Sequence, residues 1–134
     1  MRYNQNQNRI TDADKHAINE VFKAMRKRGY LAKQNYLCCM GCASAALATL
    51  GDTLKDHGKD PRGCVYYHRQ DTEHWKSGKS LFLRFGNFDT IKYGEYGASM
   101  VTVGNELCEE LMNQDLHFIW NGDPSMCVEV THTL

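Results

Sequence analysis

The apolar positions of this chain recur at helical spacing in some stretches and alternate in others. Ala17, Ile18, Val21, Phe22 and Met25 lie three and four residues apart, which makes one face of an α-helix running to about Arg28. Thr11 or Asp12 is placed to cap it and Gly29 to end it. Residues 30–37 read as an extended segment, with Leu31 and Leu37 set among polar side chains. The alanine-rich run 43–50 is a strong helix former, and Gly51 follows as its stop. Its small side chains predict close packing against a neighbouring element. Residues 55–63 are charged and contain Gly and Pro, which predicts a loop.

Beyond that loop, Cys64-Val65-Tyr66-Tyr67-His68 has strand propensity. Asp71 or Thr72 would cap a short helix ending near Trp75 and closed by Gly78. Leu81, Leu83 and Phe85 alternate with Phe82 and Arg84, the pattern of a strand with two different faces. Val103, Leu107 and Leu111 recur at i+4 within a second long helix, flanked by Cys108 and Met112. Residues 116–120 and 126–130 are strands joined through Asn121-Gly122-Asp123-Pro124, a hairpin whose loop exceeds two residues.

This order predicts an α+β fold: a single sheet of about four to five strands, including the C-terminal hairpin, covered by two or three helices. Residues 1–10 form a flexible polar leader, and 11–134 form one domain, as a length of 134 residues allows. No stretch reaches the roughly 18 apolar residues of a membrane span. The Asn/Gln-rich start lacks the apolar centre of a signal peptide, so the reading is cytoplasmic, or host cytoplasm if phage-encoded. Lys plus Arg is 16 and Asp plus Glu is 16, a balance that disfavours broad nucleic-acid binding. Lys23, Arg26, Lys27 and Arg28 could form a local basic patch, but the cationic end of a helix accounts for them equally.

Six cysteines stand at 38, 39, 42, 64, 108 and 127. In a reducing compartment, clustered cysteines point to metal or redox chemistry and scattered ones to packing. Cys39 and Cys42 form a C-x-x-C, with Cys38 adjacent, where a strand hands over to a helix. The unpaired N–H groups of a first helical turn favour thiolates there. Three readings stand side by side. In the first, Cys39 and Cys42 bind zinc with His68 and Asp71. Cys38 and Cys64 are further candidates, Cys38 the weaker because adjacent side chains seldom meet at one ion. Cys64 and His68 would stand roughly 13 Å apart on a regular strand, so they could not share an ion. In the second, Cys39 and Cys42 are a redox pair or a nucleophile, with His68 as base. The rest departs from thioredoxin-like proteins: Pro124 sits in a hairpin turn and the motif holds neither Trp nor Pro. In the third, the thiols pack the Ala-rich helix closely against the sheet. Cys108 reads as core, and Cys127 has no assigned role.

The segment from Tyr66 to Trp75 is polar and aromatic where a strand feeds a loop, a common place for sites. His68 could act as base or ligand with Asp71 orienting it, or be a hydrogen-bonded structural histidine beside an N-cap. Arg69 and Arg84 could take an anion. Tyr66, Tyr93 and Tyr96 complete the binding candidates, the last two in an aromatic loop, 88–96, that would meet a protein or small molecule. No P-loop, Rossmann fingerprint or nucleophile elbow is present.

Asn35-Tyr36-Leu37-Cys38-Cys39-Met40-Gly41-Cys42, then Tyr66-Tyr67-His68-Arg69-Gln70-Asp71, then Leu116-His117-Phe118-Ile119-Trp120-Asn121-Gly122 form a three-part pattern. It resembles an uncharacterised family of small bacterial and phage domains, one of the domain-of-unknown-function families, over residues 21–130. The resemblance implies a recurring unit with a Cys-rich junction and a His-x-x-Asp segment, and brings no activity with it. The resulting expectation is a binding or accessory domain rather than an enzyme, with zinc at the Cys-rich junction. The alternatives are a thiol-dependent redox protein or enzyme, and a capping protein acting through the aromatic loop.

Overall fold

The computed structural model describes residues 11–88 and 99–131. The helices are α1 (Asp12–Lys27), α2 (Met40–Asp56), α3 (Arg69–Lys76) and α4 (Met100–Asn113). The strands are β1 (Leu31–Lys33), β2 (Gly63–Tyr66), β3 (Leu81–Asn87), β4 (His117–Ile119) and β5 (Val128–Thr131). They form one mixed sheet in the order β1-β2-β3-β5-β4. β1 and β2 are parallel, joined by α2 as the crossover, and every other pairing is antiparallel. The fold is α+β, as the order of elements predicts. No helix among the described residues is long and apolar enough to cross a membrane.

Thr11 starts α1 with a reciprocal capping box. Its hydroxyl accepts from the Asp14 N–H, and the Asp14 carboxylate accepts from the Thr11 N–H, each at 3.0 Å. Ile18, Val21, Phe22 and Met25 are fully buried, the stripe the periodicity predicts. They meet Val103, Leu107 and Leu111 of α4 and the sheet face carrying Val65, Leu81, Leu83, Val128 and Val130. This is the main core. On the other face, Ala43 and Leu47 of α2 pack on Cys64 and Tyr66 of β2, with Leu31 and Tyr36 at the margin. α2 thus covers the β1–β2 half of that face.

Strand ends shift by one to two residues, and three larger differences separate the structure from the sequence reading. The strand expected over 30–37 stops at Lys33, because Asn35 (φ 50°) and Leu37 (φ 60°) turn left-handed and break the pleat. Gly51 does not end α2. It lies inside the helix, where a β-carbon would fall 2.6 Å from the Phe88 ring, so close packing rather than termination requires glycine. The helix runs to Asp56, and Gly58 (φ 80°) follows its cap. Neither Asp71 nor Thr72 caps α3. His68 does, and Asp71 is the third helical residue.

The basic run at the end of α1 is occupied internally. Arg26 donates to the Ala32 carbonyl, and Arg28 pairs with Glu106, Glu109 and Glu110 of α4. Arg62 joins Glu106 at 2.9 Å and lies 4.9 Å over the Tyr30 ring, whose hydroxyl donates to the same carboxylate. Burial, then Glu106, push the Tyr30 phenol pKa up.

Gly63 begins strand β2 with no room for a side chain, since a β-carbon there would sit 2.5 Å from the Gly86 carbonyl oxygen of the paired strand. Gly63→Ala is expected to cost about 1–3 kcal/mol as overpacking. Gly41→Ala in the first turn of α2 meets nothing within 4 Å and should cost nothing. Urea unfolding of both variants checks this, and equal midpoints would contradict it.

Candidate functional site

The three clustered cysteines are delivered by a pinned turn. After β1, the Tyr36 N–H donates to the Tyr67 carbonyl at 2.8 Å, and the Arg69 N–H donates to the Leu37 carbonyl at 3.0 Å. The Thr72 hydroxyl donates to the Asn35 side chain at 2.8 Å, and the Tyr67 hydroxyl to Gln34 at 3.0 Å. The left-handed backbone at Asn35 and Leu37 is therefore held from both sides by the segment entering α3. Left-handed backbone at a residue with a β-carbon costs roughly 1–2 kcal/mol, and these bonds offset it.

Cys39 follows as the N-cap of α2, extended (φ −157°), with no side-chain capping bond. The Sγ atoms of Cys38, Cys39 and Cys42 all lie within 4.8 Å of one another, with Cys38 and Cys39 at 3.4 Å. Cys38 and Cys42 are exposed and Cys39 partly so. Cys38 thus joins the cluster although its neighbour is also a member. The turn at Leu37 and the extended cap at Cys39 make adjacent side chains converge instead of alternating as they would on a strand. The Cys39 thiol pKa is lowered, first by the Cys42 backbone N–H and then by the Cys38 and Cys42 side chains. The Cys42 thiol is pushed up to about 11, first by hydrogen bonds with Cys38 and Cys39.

Such a cluster fits a metal ion. Three atoms no more than 4.8 Å apart have a common centre within about 2.8 Å of each, against a zinc–thiolate bond of about 2.3 Å. Small movements of exposed side chains close that gap. Among the described residues, no histidine or carboxylate joins the three thiols.

His68 and Asp71 form a separate, buried box at the start of α3, 2% and 3% exposed. His68 Nδ1 accepts from the Asp71 N–H, and the His68 N–H donates to Asp71 Oδ2, each at 3.2 Å. Arg84 of β3 closes the box, donating through Nε and Nη2 to both carboxylate oxygens at 2.9 and 3.0 Å. Burial pushes the His68 pKa down against the pull of Asp71, which suits a neutral ring whose Nδ1 accepts. The bond to Asp71 raises the Arg84 pKa. Arg84 is therefore committed to Asp71 on one edge. Its Nη1 lies 3.6 Å from both Met40 Sδ and Cys127 Sγ.

The remaining sequence candidates fall elsewhere. Tyr66 is buried against α2, and Arg69 is exposed. Cys64 is buried in the same packing, its thiol pushed up to about 11 by burial, and half-buried Cys108 behaves alike. Tyr93 and Tyr96 lie outside the described residues, with all of the aromatic loop except Phe88. Two contacts escaped the sequence reading, Met40 and Cys127. Cys127 shares a face with Arg84 because β3 and β5 pair, Leu83 opposite Val128, a relation no local pattern reveals. Beyond it a cavity of about 290 Å³ opens on the β3–β5–β4 half of the sheet, lined by Phe82, Ile119, Met126, Cys127 and Glu129 among others.

A histidine held below its ordinary pKa leaves the unfolded chain binding more protons in mild acid. Its contribution is complete above the unfolded value of about 6.5 and is lost as pH falls below it. The urea midpoint should therefore drop between about pH 7.5 and about pH 5.5. His68→Asn, which keeps a capping side chain, should flatten that drop; an unchanged slope would show the titration lies elsewhere.

No curated protein and no solved structure matches the chain. A family model described as Domain of unknown function (DUF6891) matches residues 2–133, nearly the whole length, and the chain belongs to that family.

Proposed function

We propose that this chain is a small binding domain, not an enzyme, and that it holds a thiophilic metal ion on Cys38, Cys39 and Cys42, with zinc the first ion to consider. The observation that carries the reading is the mutual approach of three thiols within 4.8 Å on an accessible surface. Three soft donors at one point suit zinc or another thiophilic ion and suit hard cations poorly. Binding would release thiol protons to solvent, so the site requires reduced cysteines, as a cytoplasmic setting provides. His68, Asp71 and Arg84 enter as positioning residues, because they fix the segment that presents the thiols.

A thiol-dependent redox role is the second reading. It rests on the lowered pKa of Cys39 beside two further thiols. The two readings separate on metal content and thiol reactivity.

Protein purified without chelator or immobilised nickel should carry about one thiophilic ion per chain. The Cys39→Ser, Cys42→Ser double variant should lose it while keeping its circular dichroism spectrum, since neither thiol belongs to a core cluster. Elemental analysis reads both. Metal-free protein whose thiols alkylate rapidly at neutral pH would move the assignment to redox chemistry.

A further inference from the structure

The coordination sphere at the cysteine cluster is short by one ligand for zinc. Structural zinc sites are almost always four-coordinate and closed by protein side chains. Here the described residues offer three thiols and no histidine or carboxylate that joins them. All three sit on the outer surface at the start of α2, with Cys38 and Cys42 exposed, so nothing in the described fold encloses a fourth position. Met40, in the same turn, has its sulfur 3.6 Å from Arg84 Nη1, so the three thiols stand as the donor set.

These features suit a different ion. Thiolate ligands suit zinc and monovalent copper alike, and of the two it is monovalent copper that three sulfurs can satisfy without a fourth ligand. A three-sulfur triangle whose centre lies within about 2.8 Å of every sulfur can contract onto such an ion without help from the rest of the chain. The first-turn N–H groups of α2 face the excess negative charge that three thiolates bring. Exposure on one side leaves the ion open to attack by an incoming thiolate, which favours exchange over permanent structural retention.

We infer that the cluster is an exchangeable three-coordinate copper(I) site formed by Cys38, Cys39 and Cys42. The inference rests on the metal-binding reading above and narrows it to one ion and one coordination number. Copper enters already monovalent and no electron moves. Each thiol yields its proton to solvent as its Cu–S bond forms and copper sheds its carrier ligand; external thiolates later replace the protein sulfurs one at a time, and each released sulfur regains a proton.

The test is anaerobic titration of the reduced full-length chain with copper(I) supplied as its acetonitrile complex, competed against a chromophoric copper(I) chelator. X-ray absorption at the copper edge then counts ligands. The expected result is one copper per chain with three sulfurs in its shell. Cys38→Ser, Cys39→Ser and Cys42→Ser should each lower affinity by about 100-fold or more with the fold intact by circular dichroism. Copper(I) supplied on glutathione should exchange with the bound ion within minutes. Zinc, titrated in parallel, should bind more weakly than copper(I), its fourth position left to solvent. Two sulfurs at copper, or a Cys38→Ser variant of full affinity, would overturn the three-coordinate site while leaving a metal-binding C-x-x-C. A tightly held zinc with four protein ligands would overturn the copper assignment and leave the metal-binding reading standing. Failure to bind either ion would remove both.

Discussion

A carboxylate 97% removed from solvent needs donors around it, and Asp71 has them from two elements at once. The His68 N–H comes from its own helix start, and the Arg84 guanidinium comes from the central strand β3. Removing one side of such a pair costs about 3–5 kcal/mol in a fully buried setting, and less here because the Arg84 side chain is 23% exposed. The consequence reaches past the pair. Tyr67 and Arg69, on either side of His68, make the backbone bonds that hold Tyr36 and Leu37, the last residues before the thiols. Arg84 also reaches Met40, the first residue of α2, and Cys127 just before β5. One buried ion pair thus fixes the entry of α3, the start of α2 and the open face of the sheet relative to one another.

The sheet supplies the asymmetry that leaves the thiols accessible. α1 and α4 bury one face completely, down to side chains such as Leu83 and Val128 with no exposure. On the other face, the described residues place the crossover helix over β1 and β2, the strands it connects, and the margin of α3 against Phe82 and Arg84. α3 stands at the sheet's end, with Trp75 in the main core and His74 stacked on Phe82 at 5.1 Å. The start of α2 therefore comes up beside the β3–β5–β4 half of that face, which no helix among the described residues covers. The surface ion pairs on the far side, Arg28 with Glu109 for example, tie α1 to α4 but do not position the site.

How much could be read from the sequence follows the range of the interactions. The α1 and α4 stripes, the alternation in β3, the C-terminal hairpin and the C-x-x-C at a strand-to-helix junction are local patterns, and the structure keeps all of them. The shortening of β1 was not legible, because Asn35 and Leu37 take left-handed backbone only against bonds from Thr72 and Arg69, more than thirty residues away. Gly51 looked like a helix stop since its partner, the Phe88 ring, is remote in sequence. Asp71 looked like a cap because Asp caps helices often, whereas here the imidazole of His68 takes that part and frees the carboxylate for Arg84. Cys38 was discounted on a strand rule that fails once the backbone turns.

Stability gives no reason for thiols at the start of α2, and the other cysteines show the contrast. Cys64 is buried under α2 and Cys108 packs against the main core, so each contributes as a small apolar side chain. Cys38, Cys39 and Cys42 belong to neither core. At the N-cap itself, the Cys39 sulfur feels the Cys42 N–H but makes no full capping bond, where Ser, Thr, Asp or Asn would add about 1 kcal/mol. A helix start that forgoes its cap, spends left-handed backbone on the approach and gathers three polarisable sulfurs in one exposed place is poorly arranged for holding the fold together. It is well arranged for holding something else, and among common partners a soft cation is the one that three adjacent thiolates bind best.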